Sequence, residues 1–595
     1  MRKYLILTVL CLSSLILVSD KYLTGACPST GGGGSTSRGG SGTGIPAAQR
    51  PPLGVGIQPL IQSIQSLASV ADPWEVWWSR NRDKYLTFRE QIQWTDIIDQ
   101  GGTKSYAVSP IYDALINTLA DSVGDKDPYL AFRAAIALGK VQDSQNPAVS
   151  SPKAVEILKK AHETEKRDFV RNNVLLGLGL TSDASAIAII KDVLDEKKNS
   201  PLQRSFAALA LSYVANNPEI SSTLRDILSA EKEDREVKSS CCISLGNLKD
   251  ASAAPILGKI LNGDNGKKAQ GMIRAHAALG LGRIGSTEAL AELKRFAYEN
   301  EKENDIRSAV IMAFGMAGTS EVRDNILKFL QDKAPVIRGF ACIALAQIKD
   351  TQAYETISEM LQKNKSPEAD GLILIAMGLT GHEKAKSDLR SILSADSRKT
   401  RPLLRAAAAI GLGLLKDKGA VEATLNILRD DRQQYDTTLT PYLILSLAMI
   451  NDQKKKEPIS ELSDLEKQEL EVLQKMWARI DKNISIVAYT NLAIAMMKLA
   501  SRDWIIEQLL KHTTAKDATL RIYALHTLGL LGNRNSAQAF IDTAKDNNPD
   551  VRKAVIVGIG FMMDKNQINP IDKVTADSVD IQMRIMDHLL PIPVW

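Results

Sequence analysis

The sequence predicts an all-α protein, a right-handed α-solenoid of about twelve antiparallel helix pairs. Three observations carry that expectation. One short pattern recurs along most of the chain at a spacing in the thirties. The composition, 44% hydrophobic with only 5% aromatic residues and abundant Ala and Leu, suits many packed helices better than a sheet. The length, 595 residues, exceeds what one ordinary core organises, so an architecture that grows by repetition is favoured.

The recurring pattern is a helical stretch, a polar turn, then a second helix carrying Arg followed by small residues, Leu and Gly. It reads "DPYLAFRAAIALGKV" from 127, "GMIRAHAALGLGRIG" from 271, "APVIRGFACIALAQI" from 334 and "PDVRKAVIVGIGFMM" from 549. Alignment puts basic residues in one column: Arg133, Arg171, Arg204, Lys238, Arg274, Arg307 and Arg338, then Arg405, Arg521 and Arg552. The first seven lie 38, 33, 34, 36, 33 and 31 residues apart. A near-constant period of that length, each unit a helix pair, is the signature of a solenoid. Eight residues after the column stand Gly179, Gly246, Gly282, Gly315, Gly378, Gly413, Gly529 and Gly560. A Cβ there would hold neighbouring helices apart, so Gly gives up helix propensity for close stacking. About a dozen pairs at 8 to 10 Å each predict an open, curved rod of order 100 Å.

From Pro110 to Met563 this pattern resembles the HEAT-repeat family, although armadillo-like units share the period, and the W-x-x-W-W-x-x-N element from Trp74 to Asn81 resembles one in secreted bacterial HEAT-repeat proteins. The resemblance implies a ladder in which an Asp near the inter-helix turn meets an Arg early in the second helix. Asp127 with Arg133, Asp305 with Arg307, Asp517 with Arg521 and Asp550 with Arg552 match it. Asp370 occupies the Arg column of its own repeat, so a break in the ladder is expected there.

Along the chain, residues 1–26 read as a secretory signal peptide. Arg2 and Lys3 precede the apolar run Tyr4 to Val18, and Gly25 and Ala26 stand before Cys27. The run is short for a membrane span, and no later stretch offers about 18 uninterrupted apolar residues. "TGAC" resembles a bacterial lipoprotein box with Thr24 where Leu is usual, which makes Cys27 the candidate lipidation site. Residues 27–56, Gly-, Ser- and Pro-rich, form a tether with nothing to bury.

Residues 57–104 form an N-terminal unit with three tryptophans in five positions. Asp72, Pro73 and Glu75 supply a cap, a first-turn proline and a capping-box acid, so a helix starts there. Trp74, Trp77, Trp78 and Asn81 follow on one face. Covering the exposed end of the solenoid is one use for such rings. A sugar-stacking platform, which requires exposed indoles, is the other.

The repeats occupy 105–563, with an enlarged one at 451–500. Its basic loop, Lys454, Lys455 and Lys456, and a long first helix begun by the capping box of Ser463 and Glu466 make a candidate contact site. Residues 564–595 read as a C-terminal cap. "GLGRIG" at 280–285 matches a dinucleotide pattern only by letter, since it ends a second helix with no strand before it. The histidines at 162, 276, 382, 512, 526 and 588 show no metal-ligand spacing, and no catalytic pair stands out. Cys242 and Cys342 fall three repeats apart, too far to bond, and Cys241 and Cys242 are adjacent in one helix, so buried free thiols are expected.

Functionally, 74 basic against 69 acidic residues leave +5, which argues against a broad nucleic-acid surface. The chain is expected to be a non-enzymatic, exported scaffold that needs no cofactor or metal. It would bind a protein partner on its curved surface in the periplasm, at the cell envelope or outside the cell. A surface polysaccharide on the Trp cluster is the alternative. An enzyme of the lyase or hydroxylase kinds built on HEAT-like scaffolds is a third reading.

Overall fold

The start of many second helices is written in their first residues. Asp127, Ser200 and Asn548 accept backbone N–H groups from Tyr129, Gln203 and Asp550, and Pro follows each at the first helical position, where its missing N–H has no cost. Several second helices end on a left-handed residue; Gly318 and Gly532, at φ 65° and 63°, adopt it without steric penalty. The computed structural model describes residues 72–81, 86, 110–143, 149–214, 217–263, 271–364, 366–430, 438–453, 462–480, 484–499, 502–532 and 536–564.

Among these residues α1 (Pro73–Asn81) stands alone and thirteen helix pairs follow. They are α2 (Pro110–Val123) with α3 (Pro128–Lys140), α4 (Pro152–Thr164) with α5 (Asp168–Thr181), α6 (Ala184–Asp195) with α7 (Pro201–Leu211), α8 (Pro218–Ser229) with α9 (Arg235–Asn247), and α10 (Ala254–Asn262) with α11 (Gly271–Ile284). Next come α12 (Thr287–Lys294) with α13 (Asn304–Ala317), α14 (Arg323–Phe329) with α15 (Pro335–Gln347), α16 (Ala353–Lys363) with α17 (Pro367–Leu379), and α18 (Glu383–Leu393) with α19 (Pro402–Leu414). The last four are α20 (Val421–Arg429) with α21 (Thr440–Ile450), α22 (Asp464–Ala478) with α23 (Ile486–Leu499), α24 (Arg502–Thr513) with α25 (Ala518–Leu531), and α26 (Ala537–Thr543) with α27 (Pro549–Met562). The expected all-α solenoid is therefore what forms. The capping box of Ser463 and Glu466 opens α22 as the sequence indicates.

The second helices form one layer and the first helices another. First helices are amphipathic, with one wet face, whereas second helices are buried along almost their whole length; in α5 every residue from Asn172 to Thr181 is buried. Glycine sets the spacing of the inner layer. A Cβ on Gly282 would stand 2.5 Å from the Ala313 Cα, and one on Gly378 would stand equally close to the Gly411 Cα. Second helices consequently pack more intimately with one another than first helices do, and each pair is a wedge with its narrow edge inward.

Thirteen such wedges close a circle. The expected open rod is not found: α27 packs on α3 and α26 on α2 as ordinary neighbours do. The glycine column takes part, because a Cβ on Gly560 would lie 2.8 Å from the Ala137 Cβ. Lys553 bridges to Asp127 at 3.1 Å, and Lys140 to Asp564 at 3.4 Å with both side chains buried. The Gln142 N–H donates to the Met563 carbonyl at 3.0 Å, and Val141 pairs antiparallel with Asp564. Closure needs a turn of about 28° per repeat, and inner helices at about 9.5 Å give a circle roughly 40 Å across between axes.

Candidate interaction site

Helix α1 does not cover an end of the solenoid. It lies against α17, in the eighth repeat, with its acidic N-terminus facing the starts of α19 and α21. Its own start is a capping arrangement in which the Asp72 N–H donates to Glu75 at 3.0 Å, and the Asn81 amide donates to the Trp77 carbonyl at 2.8 Å. Trp74 sits over Gly371 of α17, where any Cβ would run into the indole, and its ring meets Tyr442 of α21 at 4.9 Å between centroids. The Tyr442 hydroxyl donates to Glu75 at 3.0 Å. Arg401, the residue before α19, lies 3.6 Å from the Asp72 carboxylate and donates to the Pro367 carbonyl at 2.9 Å. Burial pushes the Glu75 carboxyl above its ordinary pKa, against the pull of the Asp72 N–H and the Tyr442 hydroxyl.

Trp74, Trp77 and Trp78 are 1%, 4% and 2% exposed. The platform reading of these three residues is therefore corrected, since indoles packed on the chain's own wall present no face to a sugar. The end-cap reading fails for a different reason: a ring has no exposed end for α1 to cover. Lys454, Lys455 and Lys456, Cys27 and the two terminal segments lie outside the described residues.

The Arg column forms a ladder, with rungs other than those expected. Arg204 holds both carboxylate oxygens of Glu233, at 2.6 and 2.9 Å. Arg274 meets Glu301 at 2.8 Å, Arg307 meets Asp332 at 2.8 Å and Arg521 meets Asp546 at 2.9 Å. Arg307, Arg338 and Arg521 each also donate to the carbonyl six residues back, so one guanidinium ties its own turn while reaching for the next repeat, and Arg552 ties its own turn in the same way. Arg133 donates to the Tyr129 carbonyl, Arg405 to the Leu393 carbonyl, and Arg171 lies 4.0 Å from Asp168. Asp127 and Asp517 are N-caps, bonded to the backbone N–H of Tyr129 and Thr519, while Asp305 and Asp550 lie in first helical turns. Where Asp370 replaces Arg, the ladder continues through an amide: Arg338 donates to the Asn364 oxygen at 3.0 Å and the Asn364 nitrogen donates to Asp370 at 2.6 Å.

A second ladder on the outer layer was not anticipated. Arg225, Arg323 and Arg390 on first helices pair with Asp250, Asp350 and Asp417, the residues that open the next outer helix. Its sequence signal is the dipeptide Lys-Asp after a second helix. Lys249, Lys349 and Lys416 take the left-handed turn, and the Asp caps and bridges. Burial pushes the Cys241 and Cys342 thiols up to about 12 and raises Cys242 well above the ordinary thiol value, which makes them poor nucleophiles. Gly280 and Gly282 of "GLGRIG" lie inside α11, against the backbones of α9 and α13. Among the described residues no group of three or more His, Cys, Asp or Glu could hold a metal ion, and no helix is long and apolar enough to cross a membrane.

The sequence model of the family described as HEAT repeats matches residues 267–335, 298–370, 323–402 and 506–585. The chain therefore carries HEAT repeats in residues 267–402 and 506–585. No curated protein matches it. Among solved structures, human deoxyhypusine hydroxylase in complex with glycerol aligns over 58% of this chain and 98% of its own, at 18% identity and a TM-score of 0.21. Kap121p aligns over 79% of this chain at 12% identity and a TM-score of 0.29. The chain spans 56% of the length of Kap121p.

Proposed function

We propose that this HEAT-repeat ring is an exported scaffold that holds a partner protein at the cell envelope. The observation that carries the reading is the ring itself. Thirteen pairs joined by two polar ladders give a rigid curved surface of a size suited to another protein. The N-terminal sequence supports export: a basic start, an apolar run and small residues before Cys27, followed by a Gly/Ser tether that would let the ring stand away from an anchoring point. A lipid on Cys27 would be that anchor. The role is binding, with charge serving for steering and specificity.

The test is partner capture. Mature protein from residue 28, immobilised and incubated with native envelope extract at moderate and high salt, is expected to retain one stoichiometric protein that high salt releases. A chain that enriches no protein under either condition defeats the scaffold reading. Intact-mass analysis of the envelope-associated protein would reveal a diacylglyceryl adduct on Cys27, and Cys27→Ser would release the chain from the membrane fraction.

A further inference from the structure

Helix α1 belongs to no repeat. Among the described residues it pairs with no second helix of its own, and it rests on the eighth to tenth repeats, roughly across the ring from the first repeat, which follows it in sequence. Twenty-eight residues separate Asn81 from Pro110. Fully extended they reach about 95 Å, more than the roughly 40 Å between opposite inner helices. Its mode of attachment is that of a bound helical peptide, with Trp74, Trp77 and Trp78 at i, i+3 and i+4 buried as anchors.

The receiving wall is complementary in shape and charge. Gly371 leaves room for the Trp74 indole, Tyr442 packs against that ring and donates to Glu75, and Arg401 faces Asp72. The N-terminal ends of α19 and α21, whose peptide dipoles favour negative charge, meet the acidic start of α1. The repeat that receives Trp74 is also the one in which Asp370 replaces the column's Arg.

We propose that this wall is a docking groove for an acid-capped helix bearing tryptophans, and that α1 is its tethered resident. A partner protein presenting such a helix enters by displacing it. This deepens the scaffold reading and rests on it for the partner. Because α1 belongs to the same chain as the ring its docking is intramolecular, so an outside helix must bind more tightly or in greater amount to compete.

The experiment uses the full chain with a protease site inserted between Gly101 and Gly102, and a fluorescein-labelled peptide of residues 70–83 as the probe. After cleavage the N-terminal fragment is expected to exchange with excess probe, and the stripped ring to bind the probe at least 100-fold more tightly than uncut protein does. Replacing Trp74 by Ala in the probe should weaken binding more than tenfold. Gly371→Leu in the ring should abolish binding while its helical signal and melting stay intact.

Three results overturn the proposal: a fragment that never exchanges, a cleaved ring that loses its helical signal, or a Gly371→Leu ring that binds as the parent does. Capture from envelope extract by cut and uncut protein separates the two readings. A captured partner with no probe binding leaves the scaffold and removes the groove; probe binding with no captured partner does the reverse.

Discussion

Arg204 and Glu233 are buried together, and each is a liability without the other. Removing one partner of such a pair leaves the other charge desolvated, typically at a cost of about 3–5 kcal/mol. Arg204→Ala is expected to destabilise the ring by roughly that amount at neutral pH. Burial alone would raise the Glu233 pKa, but Arg204, Lys197 and the Asp234 N–H hold it down to about 2. Its folded value lies below the unfolded one, so it adds stability above the ordinary carboxylate range and loses it as pH falls toward about 2. Asp234 behaves oppositely: burial and its hydrogen bond with Glu236 push it up to about 6, so its protonation favours the fold as pH drops through that value. Without Arg204, burial dominates Glu233 and acid unfolding should begin at higher pH. Circular dichroism against pH measures this, and an unchanged midpoint would show that the pair does not govern acid stability. The Arg column was legible because a basic residue recurs at one place in ten of the thirteen second helices. The acids it binds were not, since they follow Arg204, Arg274, Arg307 and Arg521 by 29, 27, 25 and 25 residues, offsets set by turns of different length.

The stacking glycines show what a helix pair asks of its sequence. A Cβ on Gly529 would fall inside 3.0 Å of the Gly558 backbone, and backbone cannot swing aside. A Cβ on Gly258, in the first helix α10, would meet only the flexible end of Glu292. Gly529→Ala should therefore cost about 1–3 kcal/mol by forcing α25 and α27 apart. Gly258→Ala should be neutral or stabilise by up to about 1 kcal/mol, the helix-propensity gain of Ala over Gly. Chemical denaturation of the two variants decides it, and equal effects would mean that close approach is not what these glycines provide. The stacking role was readable from the column alone. Gly371 was not, because its neighbour in space is Trp74, nearly three hundred residues earlier, and no period connects them.

Closure is a property of the whole molecule. Each interface turns the chain slightly, and periodicity reports that repeats stack without reporting the angle, so thirteen small rotations were summed by the fold and not by the sequence pattern. A ring has no terminal repeat to fray, and opening it at any joint leaves a second path of contacts intact. Asp127 and Lys553, 426 residues apart in sequence, should therefore be neighbours in solution, as their 3.1 Å contact requires. In a mature chain from residue 28, the variant Asp127→Cys with Lys553→Cys should be cross-linked within one molecule by a bismaleimide spanning about 10 Å. Cys241, Cys242 and Cys342, buried and held protonated, should stay silent. The loss of the Asp127 cap is tolerable at about 1 kcal/mol. Adding Gly560→Leu should wedge α27 from Ala137 and suppress the link while the helical signal persists. Cross-linking only between molecules, or none in the parent pair, would mean an open solenoid whose first and last repeats stand apart.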